Sequence, residues 1–402
     1  MYIFTIIIAL LTGIFLGILT GITPGIHINL VASVLVAYSF YILKILDPIT
    51  IAIIIVAMTV THTVFDIIPS TLLGIPNTEN LSMLLPTHKL TLEGKSKVAI
   101  WYGLIGTTCG LITTTIFIPL LIKFIPFAYD YIKNYISFIL ISISLYIMIK
   151  SKNKILSLLF FILTGIVGIL SFNIKTLDQP LLPLLSGIFG LSALILSIKN
   201  KTKLEEQKEN LELSICKKDL TRISISTTLS SLLTNFLPGL TSSHTALLSN
   251  KIIKIRNQEE YIIISSAVGA SATIISFIAF YTINKTRSGS VAAINYFINQ
   301  INLTTLIFIV AISLVCLSLA TYSAIKISDK IIKIVDKINY KKLSFGIISL
   351  ILVIVLIITK FEGLLVLITA TSIGILAQKF EIERINLTGC LILPVIFYTL
   401  NI

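Results

Sequence analysis

Two Pro-Gly pairs stand in apolar sequence, each with a histidine close behind. One is Gly21-Ile22-Thr23-Pro24-Gly25-Ile26-His27-Ile28-Asn29, and the other is Asn235-Phe236-Leu237-Pro238-Gly239-Leu240-Thr241-Ser242-Ser243-His244. Proline has no N–H to donate and clashes with the preceding turn. The residue before it is driven out of the helical region, and glycine has almost no backbone preference. Each pair must therefore break a helix. In hydrocarbon, a broken helix survives only where protein or trapped water satisfies the freed backbone groups. A new helix begins after each break, over residues 26–29 and 240–243, and its unpaired first-turn N–H groups favour an anion. Thr241, Ser242 and Ser243 add hydroxyl donors. The bland alternative is that the breaks only kink packed helices and the hydroxyls bond their own backbone. The matched pairing of the breaks favours the functional reading.

A second polar break follows each first one after a single apolar run. Pro24 precedes Pro76 of Pro76-Asn77-Thr78-Glu79, and Pro238 precedes Gly289 of Arg287-Ser288-Gly289, at nearly equal separations. Arg287 can hold an anion with two parallel N–H groups. Freed carbonyls with Asn29, Asn77 and Asn235 offer oxygens to Na⁺ as a coupling ion. Asp66 and Glu79 are ionisable groups in or beside apolar runs, where such groups default to function. His62 and Asp66 lie four apart and share a helix face, which suits a proton relay or a structural pair. His27 and His244 are expected to touch substrate or proton. The substrate-binding set is thus Thr23, Pro24, Gly25, His27, Asn29, Asn77, Thr78, Pro238, Gly239, Thr241, Ser242, Ser243, His244, Arg287 and Ser288. The coupling set is His62, Asp66, Glu79 and Asn235. No protein-held metal or other cofactor is expected.

The elements that must position these residues are membrane helices. The 402-residue chain is 55% hydrophobic and 12% charged, about half the charged fraction of ordinary soluble domains. Its net charge of +13 sits in short loops between apolar runs, as the positive-inside rule produces. No basic patch is interleaved with aromatics, so nucleic acid is set aside. The four cysteines form no C-x-x-C pair and read as isolated thiols. Residues 1–19 lack a basic n-region and read as a retained segment.

The apolar runs give an all-α, multi-pass protein of the cell membrane. Residues 1–198 form an N-terminal membrane repeat, 199–222 a charged cytoplasmic linker and 223–402 a C-terminal repeat. Residues 49–73, 98–122, 132–149, 343–359 and 364–378 each read as a span, and residues 81–97 as a polar loop. Each repeat is expected to be a Pro-Gly-broken hairpin plus about five transmembrane helices. An odd number of crossings would make the repeats inverted, the plan of secondary transporters. Arms of about 15 and 11 residues in 223–250 are too short for a ~30 Å core, so this hairpin reads as re-entrant. The arms of the first hairpin are long enough to span.

Gly13, Gly17, Gly21, Pro24 and Gly25, repeated in part by Pro238-Gly239, resemble the glycine-spaced Pro-Gly motif of the tripartite tricarboxylate transporters' large membrane subunit, the TctA family. Leu72-Leu73-Gly74-Ile75-Pro76-Asn77-Thr78 is similar to its embedded proline-rich stretch. Residues 94–99, 182–194 and 373–394 also resemble it. The chain departs from the family pattern at His27, Glu79 and Leu85-Pro86. The resemblance implies a permease for a small organic anion, a di- or tricarboxylate, driven by Na⁺ or H⁺. Membrane lipid is the surrounding partner. A homodimer is left open, no binding-protein partner is evident, and no enzyme activity is expected. Two rivals remain. A flippase for a polyprenyl phosphate would suit Arg287. An intramembrane metalloenzyme would need ligands such as His62, Asp66 and Glu79, but no H-E-x-x-H or G-x-S-x-G supports it.

Overall fold

The computed structural model describes residues 2–23, 28–73, 84–177, 179–199, 207, 213, 215–253, 255–335 and 340–400. Most of the described residues are helical, with no strand among them. The first half contains α1 (Tyr2–Ile22), α2 (Ile28–Ala37), α3 (Ser39–Ile42), α4 (Pro48–Phe65), α5 (Ile67–Leu73), α6 (Leu84–Leu92), α7 (Ser96–Ile116), α8 (Ile118–Ile132), α9 (Ile136–Lys150), α10 (Lys154–Phe172), α11 (Leu181–Leu185) and α12 (Ser192–Lys199). The second contains α13 (Lys217–Phe236), α14 (Ser242–Ile253), α15 (Gln258–Ile283), α16 (Gly289–Ile298), α17 (Leu303–Val335), α18 (Tyr340–Lys379) and α19 (Gly389–Leu400). Eight segments among the described residues are long and apolar enough to cross a bilayer.

Two of those spans are pillars. The apolar windows of 48–72 and 258–283 are 94% and 89% buried inside the protein, whereas those of the other six are 22–56% buried. A helix that is apolar all round must be wrapped by other helices or by lipid, and α4 and α15 are wrapped by protein. Around α4 stand α1, α16 and α17; around α15 stand α7, α13 and α14.

Small residues allow the closest approaches. A Cβ added at Gly13, Gly17 or Gly21 of α1 would lie 2.6 Å from the Cβ of Ala57, Thr61 or Phe65 of α4. The three pairs advance together, so α1 and α4 run parallel at backbone contact, as small residues permit between membrane helices. Gly106 and Gly110 of α7 meet the backbone of Ile263 and Ala267 in the same way, so α7 and α15 also run parallel.

Several boundaries differ from the sequence reading, each for a local reason. The run 98–122 splits at Phe117 because Pro119 begins a new helix, α8, where a first-turn proline costs no hydrogen bond. The run 49–73 divides at Asp66, between α4 and α5. The expected polar loop up to Lys97 contains helix α6, with Thr91 bonded to the carbonyls of Thr71 and Thr87. Helix α13 begins at Lys217, inside the segment read as linker. The expected separation of 343–359 from 364–378 is a kink inside α18, where Lys360 takes φ 55°.

Candidate functional site

The second break is described in full. Helix α13 ends at Phe236, and Leu237 is extended (φ −109°, ψ 98°), as a residue before proline must be. Gly239 takes φ +88°, a left-handed conformation that glycine alone adopts cheaply. Its Cα faces the backbone of α19, and an added Cβ would lie 3.2 Å from Ile392 Cα and Leu391 O. After Leu240 and Thr241 the chain turns into α14.

The α14 arm folds back along α13. Thr234 and Thr245 share a hydroxyl–hydroxyl hydrogen bond of 2.6 Å near the tip. At the feet, Arg256 reaches Asp219 (3.1 Å) and Arg222 reaches Glu260 (3.6 Å). Ser231 Oγ donates to Val268 O, and Asn235 Nδ2 donates to Ala272 O. Three of these pairs are 37 residues apart, so α13 and α15 start level and run parallel. Asn235 stands beside Ala272, 14 residues from the start of α15 and 11 from its end. At ~1.5 Å per residue, that is about 21 Å from one end and 16 Å from the other. The break therefore begins near the middle of the pillar.

Two residues from distant sequence close around it. Arg287, in the loop between α15 and α16, donates from Nη2 to the carbonyl of Phe236 (3.4 Å), the last residue of α13. A cation at a helix C-terminus meets the negative end of the dipole. Its guanidinium also lies 5.8 Å from the ring centroid of Tyr129 on α8, and the Tyr129 and Phe236 rings are 6.3 Å apart. Arg287 Nε is buried without a partner, and the ion pairs among the described residues do not include Arg287. Ser288 caps α16 by accepting from Val291 N–H, and shares a hydrogen bond with Ser290.

His244 is fully enclosed. Its Nδ1 accepts from the Thr241 N–H (3.2 Å) and lies 2.9 Å from Thr241 Oγ1. Its Nε2 lies 2.8 Å from Thr388 Oγ1, in the 3₁₀ turn Arg384–Thr388 before α19. The Thr241 amide, one of the donors expected to face an anion, is thus already engaged. Ser242 and Ser243 are buried in the first turn of α14.

In the first half, α1 ends at Ile22, and the Thr23 N–H still reaches Leu19 O. Helix α2 resumes at Ile28 with Asn29 in its first turn. Pro24, Gly25, His27, Asn77, Thr78 and Glu79 lie outside the described residues. His62 and Asp66 are both buried at the C-terminal end of α4. His62 Nδ1 lies 3.0 Å from Thr20 Oγ1 on α1. Thr20 donates to Gly17 O, so its oxygen accepts from His62. Asp66 receives the hydroxyl of Ser70 at its carbonyl (2.6 Å) and at Oδ1 (3.2 Å).

The structure therefore gathers Asn235, Pro238, Gly239, Thr241, His244, Arg287 and Ser288 about one break, and His62 and Asp66 about the approach to the other. Sequence reasoning missed Thr20, Tyr129 and Thr388. Nothing in their local sequence marks them; each joins the site only through helix packing.

A family model described as the tripartite tricarboxylate transporter TctA family matches residues 7–389. An uncharacterized protein of Methanocaldococcus jannaschii is 30% identical over 407 residues, covering 98% of this chain and 99% of its own length. No solved structure matches at a significant level.

Proposed function

Since the chain belongs to the tripartite tricarboxylate transporter TctA family, whose members are multi-pass membrane transport proteins, we propose that it is the translocating subunit for a small organic anion, a di- or tricarboxylate. One observation carries this reading: Arg287 places a half-buried guanidinium, its Nε enclosed without a partner and free of any ion pair among the described residues, at a helix break level with the middle of α15. A charge at membrane depth without a fixed counter-ion is costly unless something transient pairs with it. A substrate carboxylate is that partner, with Ser288 next to Arg287 in the chain and the Tyr129 ring 5.8 Å from the guanidinium.

The inverted-repeat arrangement is part of the proposal. Its support is a reciprocal pattern. In each half, the helix before the Pro-Gly break runs parallel to the pillar that follows it, α1 with α4 and α13 with α15. Pillar α4 packs on α16 and α17 of the other half, and pillar α15 on α6 and α7. Lys97 at the start of α7 pairs with Asp329 toward the end of α17 (3.0 Å), so these two counterparts run oppositely. Two halves of opposite sense around one site suit alternating access. His62 and Asp66, with Thr20 and Ser70, form the proposed coupling site for Na⁺ or H⁺. The sequence shows no sign of a binding-protein partner. The family is described as tripartite, which leaves that expected absence unsupported, and we include an extracytoplasmic binding protein in the assembly.

The test is counterflow of radiolabelled citrate and succinate into proteoliposomes, with and without a Na⁺ gradient. Arg287→Gln should weaken uptake at least tenfold, since losing a desolvated charge partner costs about 2–5 kcal/mol and ~1.4 kcal/mol is tenfold. Equal KM in Arg287→Gln and wild type would remove Arg287 from the site. Stabilisation by polyprenyl phosphate but by no carboxylate would favour the lipid-carrier reading instead.

A further inference from the structure

His244 sits three residues from the substrate-facing turn, yet its hydrogen bonds leave it no room to exchange a proton. The Thr388 hydroxyl donates its single hydrogen to Ile385 O at 2.6 Å. Toward His244 Nε2, at 2.8 Å, it can therefore only accept, so Nε2 carries the proton. On the other side the Thr241 amide is a fixed donor, 3.2 Å from Nδ1, and the Thr241 hydroxyl, 2.9 Å away, can turn its hydrogen to the same nitrogen. Nδ1 must accept, and the ring is neutral. Protonating Nδ1 would set it against the amide hydrogen inside a site where His244 is 1% exposed.

We propose that His244 is the positioning residue of the second break: a neutral strut, fixed to Thr241 on one side and Thr388 on the other, that holds the turn 237–241 against α19. Through it the turn is tied to a rigid base. Gly239 rests on the backbone of Leu391 and Ile392. Helix α19 is itself locked on α10, where Gly168 meets the backbone of Cys390 and Gly389 that of Phe161. Titratable groups on the surrounding elements are Arg384 in the 3₁₀ turn, Cys390 and Tyr398 on α19, Lys154 at the start of α10 and Lys217 and Lys218 at the start of α13. The charged feet of α13 and α15, Asp219, Arg222 and Glu260, are bound to one another or to Arg256 at the far end of the hairpin. The consequence for transport rests on the transporter reading above; the tautomer does not.

Two measurements keep these apart. In protein labelled with nitrogen-15 at its four histidines, the resonance lost in His244→Gln should be that of an Nε2–H imidazole. It should stay constant across the range in which an ordinary histidine titrates, around pH 6.5. A titrating signal, or an Nδ1–H signal, overturns the strut. In citrate counterflow, His244→Ala and Thr388→Val should each raise KM roughly tenfold, and the double variant should be no worse than either alone. His244→Gln, which keeps a donor toward Thr388, should recover most of the loss. A merely structural role would lower folded yield and maximal rate with KM unchanged, and the two losses would add. If wild type moves no citrate, the transporter reading fails while the nitrogen-15 result still decides the tautomer.

Discussion

Replacing Gly239 with alanine tests the second break at one backbone position. Gly239 has φ +88°, and an L-residue in the left-handed region costs about 1–2 kcal/mol. The added methyl would also stand 3.2 Å from Ile392 Cα and Leu391 O. Both obstacles are backbone, and α19 is held from behind by Gly389 and Gly168 against α10, so the turn has to move instead. Crowding of this kind costs typically 1–3 kcal/mol. The total expected loss is about 2–5 kcal/mol. Gly269→Ala is the control, since an added Cβ there meets nothing within 4 Å inside helix α15; it should be neutral or stabilising by up to ~1 kcal/mol. Thermal melts of the purified protein, followed through the single tryptophan, Trp101, should rank Gly239→Ala well below wild type and Gly269→Ala at or above it. Citrate counterflow should fall in the first and persist in the second. Equal melting points for the two variants would refute the claim that this turn is pinned on α19.

Further outcomes follow from the same contacts. Asn235→Leu removes donors to Ser231 O and Ala272 O and should cost about 0.5–2 kcal/mol of stability, measured by the same melts. Gly17→Val should cut folded yield sharply, because the Thr61 Cβ on α4 already stands 2.6 Å from the site of the new Cβ; size-exclusion profiles in detergent would show it. Asp47 caps α4 by accepting from the amides of Ile49 and Thr50 and from the Thr50 hydroxyl. Those bonds, the Thr50 hydroxyl foremost, hold its carboxyl below the ordinary value. Its contribution is therefore full above the ordinary carboxylate range and is lost as pH falls through the lowered value, and Asp47→Ala should flatten that acid limb of the melting curve.

Membrane class, the two helix breaks and the family were legible in the sequence, because each follows from local rules. Apolar length dictates a span, Pro-Gly dictates an interruption, and the order of these features along the chain carries the resemblance. Helix α1 does end at Ile22, and α13 at Phe236. Boundaries governed by side-chain bonds were less legible: α6 stood hidden in a polar stretch because the bond from Thr91 to Thr71 O is visible only once α5 and α6 pack.

The sequence alone settled that the helix must stop at Pro238-Gly239, since backbone sterics act within a few residues. Only the tertiary structure decided what meets the second bend. Arg287 reaches Phe236 across 51 residues, and His244 reaches Thr388 across 144. Such partners are chosen by which helices run parallel and how closely their glycines let them approach, and that geometry exists only after the helices have packed.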